Sequence, residues 1–250
     1  MLHHEISGNG KKPLVLLHGF MENTTIWEEM EAHLSKDFTL IKIDLPGHGK
    51  SKVYQEIHTV ELMAEKVKEV IDALKLEKIN LLGHSLGGYV SLAFAEKFPE
   101  ILESMTLFFS TTVADDEEKK AIRRRSIAVI DENFENFVKT SIPNLFSNNE
   151  KDILEGKIEL AKNIAKSTDK EGVKAAQLGM AERPDRTEIL ENLDAKILII
   201  AGKYDNAVKT ENLLKIIPEK TNIKTYVLDC GHNGHWEKPT ICAEIINTEL

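Results

Sequence analysis

Cysteine is almost missing from this 250-residue chain: Cys230 and Cys242 are the only two. Two are too few for a disulfide framework, and they lack the spacing of a metal-ligand set. Both read as reduced, buried thiols. Long apolar runs are missing too. None approaches the ~20 residues of a membrane-spanning helix. The opening Met1-Leu2-His3-His4-Glu5 has no positive segment followed by an apolar core, so no secretory leader is expected and a cytoplasmic location follows. Positive charge is in deficit. Against 41 Asp and Glu stand 32 Lys and Arg, a net charge of −9. Nucleic acid and anionic membranes both require a basic face, so neither is expected as a partner. The single basic run, Arg123-Arg124-Arg125, reads as lying late in a helix whose first turn holds Asp115, Asp116, Glu117 and Glu118, where it complements the helix dipole. Repeats and low-complexity tracts are absent.

What is present is the composition of one globular domain, 1–250, long enough to bury a sizeable core. Apolar runs recur at Pro13–Leu17, Thr39–Ile43, Ile79–Leu82, Met105–Phe109, Ile197–Ala201 and Thr225–Leu228. Continuous rather than alternating runs predict strands buried on both faces, as in a parallel sheet. Between them lie helical spacings; Val60, Met63, Val67, Val70 and Leu74 step by three and four along one face. Strand alternating with helix predicts an α/β doubly wound, mostly parallel sheet. Residues around Leu2–Ile6 can add an edge strand.

The alternation stops between about 111 and 184. Four helical patterns replace it: one opened by a capping box at Thr112 and Asp115, one marked by Phe134, Phe137, Val138, Ser141, Ile142 and Leu145 that Pro143 is expected to kink or end, one capped by Asn149 with Ile153, Leu160, Ala161 and Ile164 inside, and one capped by Thr168 or Asp169. A helical block inserted between two sheet strands is expected to form a cap above the strand C-terminal ends.

One stretch organises the chemistry. Ile79-Asn80-Leu81-Leu82 leads into Gly83-His84-Ser85-Leu86-Gly87-Gly88, and a helix-forming run leads out. Strand, G-x-S-x-G, helix is the context that puts a serine on a sharp turn with its hydroxyl exposed. A serine hydroxyl is a poor nucleophile near neutral pH and needs a base, which in turn needs an orienting group. In an open α/β sheet these come from loops at strand carboxyl ends. Two later strand ends supply them. Ile197–Ala201 runs into Gly202-Lys203-Tyr204-Asp205, and Thr225–Leu228 into Asp229-Cys230-Gly231-His232, with His235 on the same loop. The chain order Ser85, Asp205, His232 is the one expected when this turn carries a hydrolase nucleophile.

Taken together, His18-Gly19-Phe20, Asp44–Ser51 (DLPGHGKS), Gly83–Gly88 (GHSLGG), Gly202–Asp205 (GKYD) and Gly231–Pro239 (GHNGHWEKP) resemble the α/β-hydrolase fold family, and within it the capped serine esterases. The resemblance spans essentially the whole chain. It implies that His232, followed by Glu237 and Pro239 at the family spacing, is the base. His235 then falls in the spacer as a solvent-facing or loop-bracing histidine. It implies Asp205 as the acid over Asp229, Asp194 and Asp185. Ser110 stands where some members place the acid and cannot serve. It also implies an oxyanion hole made by the backbone N–H groups of Phe20 and Leu86, the latter at a helix start where amides are free. His18, His48, His84 and Asp44 read as loop braces, Trp27 and Trp236 as packing residues. Arg183 and Arg186 read as ion-pairing the insertion back to the sheet, or Arg183 as meeting a substrate carboxylate.

The expected activity is a metal-free, cofactor-free serine hydrolase acting on a small-molecule ester of small to medium size. A serine nucleophile disfavours the dehalogenase and epoxide-hydrolase branches, whose alkyl-enzyme intermediates need a carboxylate. Lactone opening, carbon–carbon bond hydrolysis, perhydrolysis and lyase chemistry use the same residues, and a ligand-sensing receptor retains them without turnover. Monomer and homodimer are equally compatible with the sequence.

Overall fold

Seven strands make one sheet in the order β1-β3-β2-β4-β5-β6-β7, and the computed structural model describes residues 1–250 in full. The strands are β1 (His4–Gly8), β2 (Lys12–Leu17), β3 (Phe38–Ile43), β4 (Ile79–His84), β5 (Leu102–Phe108), β6 (Lys196–Gly202) and β7 (Ile223–Leu228). All adjacent pairs are parallel except β1 with β3, so the N-terminal residues add an antiparallel edge. The helices are α1 (Glu28–Glu31), α2 (Val60–Ala73), α3 (Leu86–Lys97), α4 (Glu117–Ser141), α5 (Glu155–Ser167), α6 (Lys170–Glu182), α7 (Glu188–Asn192), α8 (Thr210–Leu214), α9 (Gly234–Glu237) and α10 (Pro239–Glu249).

The apolar runs are continuous because the pleat sends alternate side chains into two separate cores. Val15, Leu17, Leu81, Leu107 and Ile199 meet α2 and α3 on one face. Leu14, Leu16, Leu82, Phe108 and Ile200 meet Met30 of α1 and Cys242, Ala243 and Ile246 of α10 on the other. The exception is β7. Its residues after Ile223 are exposed or half-buried, since an edge strand is covered on fewer sides than the continuous run at Thr225–Leu228 suggests. No helix is long and apolar enough to cross a membrane.

Residues between β5 and β6 form the expected helical block, with different internal boundaries. The first two predicted helices are one span, α4, kinked at Asn133, whose backbone leaves the helical region (φ −154°, ψ 83°). Asp116, not Thr112 or Asp115, caps it by accepting from the Lys119 N–H. Asp115 is drawn into a buried cluster with Arg123 and Arg183. Arg123–Arg125 therefore lie within the first half of the helix, and ion pairing explains the basic run better than the dipole: Arg124 meets Glu182. Asn149 lies in a short 3-10 turn and α5 starts only at Glu155, which leaves Ile153 85% exposed and Leu160 on the outer face. Asp169 caps α6 as expected.

The block docks on loops at the strand C-terminal ends. The His58 N–H donates to Ala175, Gly172 packs on Gly47, and the His232 N–H donates to Leu145. Two arginines anchor its return. Arg183 reaches Asp115 and the Val113 and Met180 carbonyls with its guanidinium 4.0 Å above the Tyr89 ring, and Arg186 spans Glu61 of α2 and Glu96 of α3. Both are buried, and the contacts each makes lie within the chain, as ion pairing of the insertion back to the sheet requires.

Candidate active site

Ser85 joins β4 to α3 with φ 49° and ψ −109°, a left-handed conformation that a non-glycine residue holds at a cost of about 1–3 kcal/mol. The turn is tight because its flanks have no side chains. A Cβ on Gly83 would run into the backbone of Gly87, and one on Gly87 into the Leu17 carbonyl. Ser110, just beyond β5, steadies the turn by donating its hydroxyl to the Ser85 carbonyl at 2.8 Å.

The loops after β6 and β7 bring two side chains to Ser85. His232 Nε2 lies 2.8 Å from Ser85 Oγ, and His232 Nδ1 lies 2.7 Å from Asp205 Oδ2. The other Asp205 oxygen accepts the N–H groups of Ala207 and Val208, which fixes the carboxylate plane. Burial disfavours the imidazolium of His232, but the adjacent Asp205 charge and hydrogen bond outweigh it, and the pKa is raised above the ordinary histidine value. A ring oriented by a carboxylate and facing a hydroxyl can take that proton as the oxygen attacks. The competing aspartates lie elsewhere. Asp229 is exposed and pairs with Lys203 at 3.2 Å, and Asp194 and Asp185 are on the surface.

Phe20 and Leu86, expected as the oxyanion donors, carry backbone N–H groups without a partner in the chain. Leu86 is the first residue of α3, so its N–H has no carbonyl one turn back. The Phe20 N–H, in the loop after β2, has no acceptor within the chain. The half-buried Phe20 ring packs against both cores.

The remaining histidines are braces, with one departure. His18 Nε2 accepts from the Leu45 N–H, and His48 Nδ1 donates to the Pro46 carbonyl. Burial and the neighbouring His18 push the His48 pKa down to about 3. Asp44 holds the Gly47–Ser51 turn by accepting from the Thr24 and Lys50 N–H groups. His235 is the departure: it is fully buried rather than solvent-facing, and neither ring nitrogen has a hydrogen-bond partner. Burial and the nearby His84 lower its pKa well below the ordinary value, so it is neutral. Trp27 is buried beside it, and Trp236 stacks on Phe146.

Two glutamates escaped the sequence reading as organisers of the site. Glu237 accepts from the Gly231, Asn233 and Ser147 N–H groups, binding the His232 loop to the helical block. Its presence in the Gly231–Pro239 pattern was the available signal. Glu22 accepts from the Gly19 N–H at 2.6 Å and lies 2.8 Å from His84 Nδ1. Burial alone would raise the Glu22 carboxyl; the charge and hydrogen bond of His84 outweigh it and hold it at about 2. Donor atoms of Glu22, His84 and His235 all fall within 4.8 Å of one another, the one set in the molecule with the makings of a metal site. Cys230 and Cys242 are free and buried, and burial pushes the Cys242 thiol up to about 12.

Comparison with known proteins agrees with this architecture. Residues 12–239 match the family model described as alpha/beta hydrolase fold. A thermophilic esterase from Thermogutta terrifontis, solved with malate bound, superposes with a TM-score of 0.92 at 33% identity over 99% of this chain and 92% of that one. The enol-lactonase of Burkholderia xenovorans LB400 superposes at 0.91 with 21% identity, over 99% of this chain and 95% of that one, a likeness of fold. In sequence, the 2-hydroxy-6-oxononadienedioate/2-hydroxy-6-oxononatrienedioate hydrolase of Escherichia coli is 27% identical over 94% of this chain and 86% of its own length. Relatives from Mycobacterium are 34% identical over 111 residues, and there the match spans only 32% of their length.

Proposed function

The chain belongs to the alpha/beta hydrolase fold family, and from that membership we propose that it is a serine hydrolase cleaving a small to medium carboxylic ester through an acyl-enzyme. One observation carries this reading: the unbroken line from Asp205 through His232 to a strained Ser85, at 2.7 and 2.8 Å. In the first half-reaction Ser85 Oγ attacks the ester carbonyl as His232 Nε2 takes its proton. Asp205 holds the ring in the tautomer that leaves Nε2 free and stabilises the imidazolium. The tetrahedral oxyanion is held by the Phe20 and Leu86 N–H groups; a donor of this kind elsewhere contributes about 2.7–4 kcal/mol to the barrier reduction. His232 then protonates the leaving alcohol. In the second half-reaction it activates water to release the acid. Residues 111–184 act as the cap, and their lining sets the size of acyl group admitted.

Hydrolysis of p-nitrophenyl esters from acetate upward tests the reading against a Ser85→Ala control. Turnover confined to the wild type is expected; none above the control across the series discards it. A second reading keeps the residues and changes the bond. The likeness to a hydrolase and an enol-lactonase favours opening a lactone or cleaving a carbon–carbon bond in a small oxo acid. Faster turnover of lactones than of any open-chain ester would select it.

A further inference from the structure

His84 is buried directly behind the proposed nucleophile, and its two ring nitrogens both face oxygen acceptors. Nδ1 lies 2.8 Å from the Glu22 carboxylate, and Nε2 lies 3.0 Å from the backbone carbonyl of His232. A neutral imidazole has one donor and one acceptor nitrogen. It would satisfy only one of these contacts and set a lone pair against an oxygen in the other. Both contacts are met at once only by a ring that donates from both nitrogens, an arrangement for which Glu22 is the matching counter-ion. Glu22 has a second duty, because the oxygen that meets His84 also accepts the Gly19 N–H at 2.6 Å. The fit is close: a Cβ on Gly19 would lie 2.7 Å from both Glu22 Oε2 and His84 Nδ1.

We infer that the buried Glu22–His84 ion pair is a positioning device that sets the nucleophile, the base and the oxyanion donors at their working separations. Each end of the pair belongs to a different part of the site. His84 precedes Ser85 in the chain, the His232 carbonyl belongs to the base, and Gly19 precedes Phe20. One charge-assisted chain of hydrogen bonds, from Gly19 N–H through Glu22 and His84 to His232 O, therefore ties the loops after β2, β4 and β7 across the sheet ends. Charge assistance makes such bonds shorter and stiffer than neutral ones, and reaction geometry is sensitive to sub-ångström placement. The low pKa of Glu22 agrees with a carboxylate held in this way. His235 completes the pocket as the neutral member. Its Nε2 stands 3.9 Å from the second Glu22 oxygen, so one carboxylate balances one imidazolium and no second cation. Glutamine at position 22 cannot replace the glutamate. Its amide oxygen could accept from both the Gly19 N–H and His84 Nδ1, but it carries no charge to pair with a ring that must also donate to His232.

This inference rests on the serine-hydrolase reading for its kinetic consequence but not for its structural one, and two measurements separate them. Nitrogen NMR of the wild-type protein labelled in its histidine rings should show one residue with both ring nitrogens protonated at pH 8, lost in His84→Gln. A His84 ring with one unprotonated nitrogen at pH 8 overturns the inference, as does a stoichiometric zinc ion held by Glu22, His84 and His235 in the purified protein. For the kinetic arm, Glu22→Gln is assayed on p-nitrophenyl acetate per site titrated with a fluorophosphonate. A fall in kcat on the order of 10²-fold with KM little changed is expected. The double variant Glu22→Gln/His84→Gln should lose little more, because the two act as one unit. Wild-type kcat per titrated site in Glu22→Gln, or full additivity in the double variant, would sink the positioning role and leave the esterase reading intact. Absence of ester turnover in the wild type would remove the esterase reading while the NMR arm still decides the ion pair.

Discussion

Two carboxylate–imidazole pairs flank Ser85, made of the same chemistry and buried alike. Asp205–His232 and Glu22–His84 have nearly equal contact distances, 2.7 and 2.8 Å. They differ in what the far nitrogen meets. In His232 it meets a hydroxyl, which can give up a proton and receive it back. In His84 it meets a backbone carbonyl, which can only accept a hydrogen bond. On the proposed reading one pair moves protons and the other holds position, so burial and a carboxylate partner alone do not identify a general base. The group opposite the carboxylate does.

The sharpest way to break this contrast is at the proton-moving pair. Ser85→Ala should lower ester kcat by about 10⁶-fold, the loss seen when a triad nucleophile is removed, and abolish fluorophosphonate labelling. Labelling that persists on another serine would displace Ser85. His232→Ala should match that loss while His235→Ala keeps most of the turnover, because His235 has no line to Ser85; the reverse ranking would exchange their roles. Asp205→Asn should cost about 10⁴-fold by stabilising the wrong tautomer, measured as kcat at constant site titre.

Smaller effects come from titration. In the proposed mechanism His232 must be neutral to accept the Ser85 proton, and its pKa is raised in the fold. The acid limb of kcat/KM should therefore lie above the ~6.5 of an unperturbed histidine, with activity falling as pH drops through it. A limb below that value would contradict the Asp205 contact. Glu22 has a depressed pKa, about 2 against 4.5. Its contribution to stability is then present above about pH 4.5 and lost as pH falls towards 2. Denaturant titrations of wild type and Glu22→Gln should converge over that window; a constant gap would show that Glu22 is not charged in the native protein.

Much of the fold was legible because it depends on local regularity. Continuous apolar runs can satisfy only strands covered on both faces, and the spacing within 60–74 only a helix with one buried side. Within residues 111–184 that logic weakened. The stripe through Ile153 and Leu160 points outward, and Asp115 left its cap for Arg123 and Arg183, because partners distant in sequence decide which helical face is buried. At the site, Ser85, Asp205 and His232 were legible as residues at strand ends. Glu22 was not: it stands in an ordinary loop, and its significance lies in contacts with Gly19 and with residue 84.

Sequence by itself determined which atoms are available for chemistry and in what order the strands deliver them, since turn glycines, apolar runs and strand-end residues are properties of short segments. Only the tertiary structure decided what each buried histidine faces. Distances of about 3 Å between residues 22, 84 and 232 are set by how three loops converge over the sheet, and no local pattern encodes that convergence.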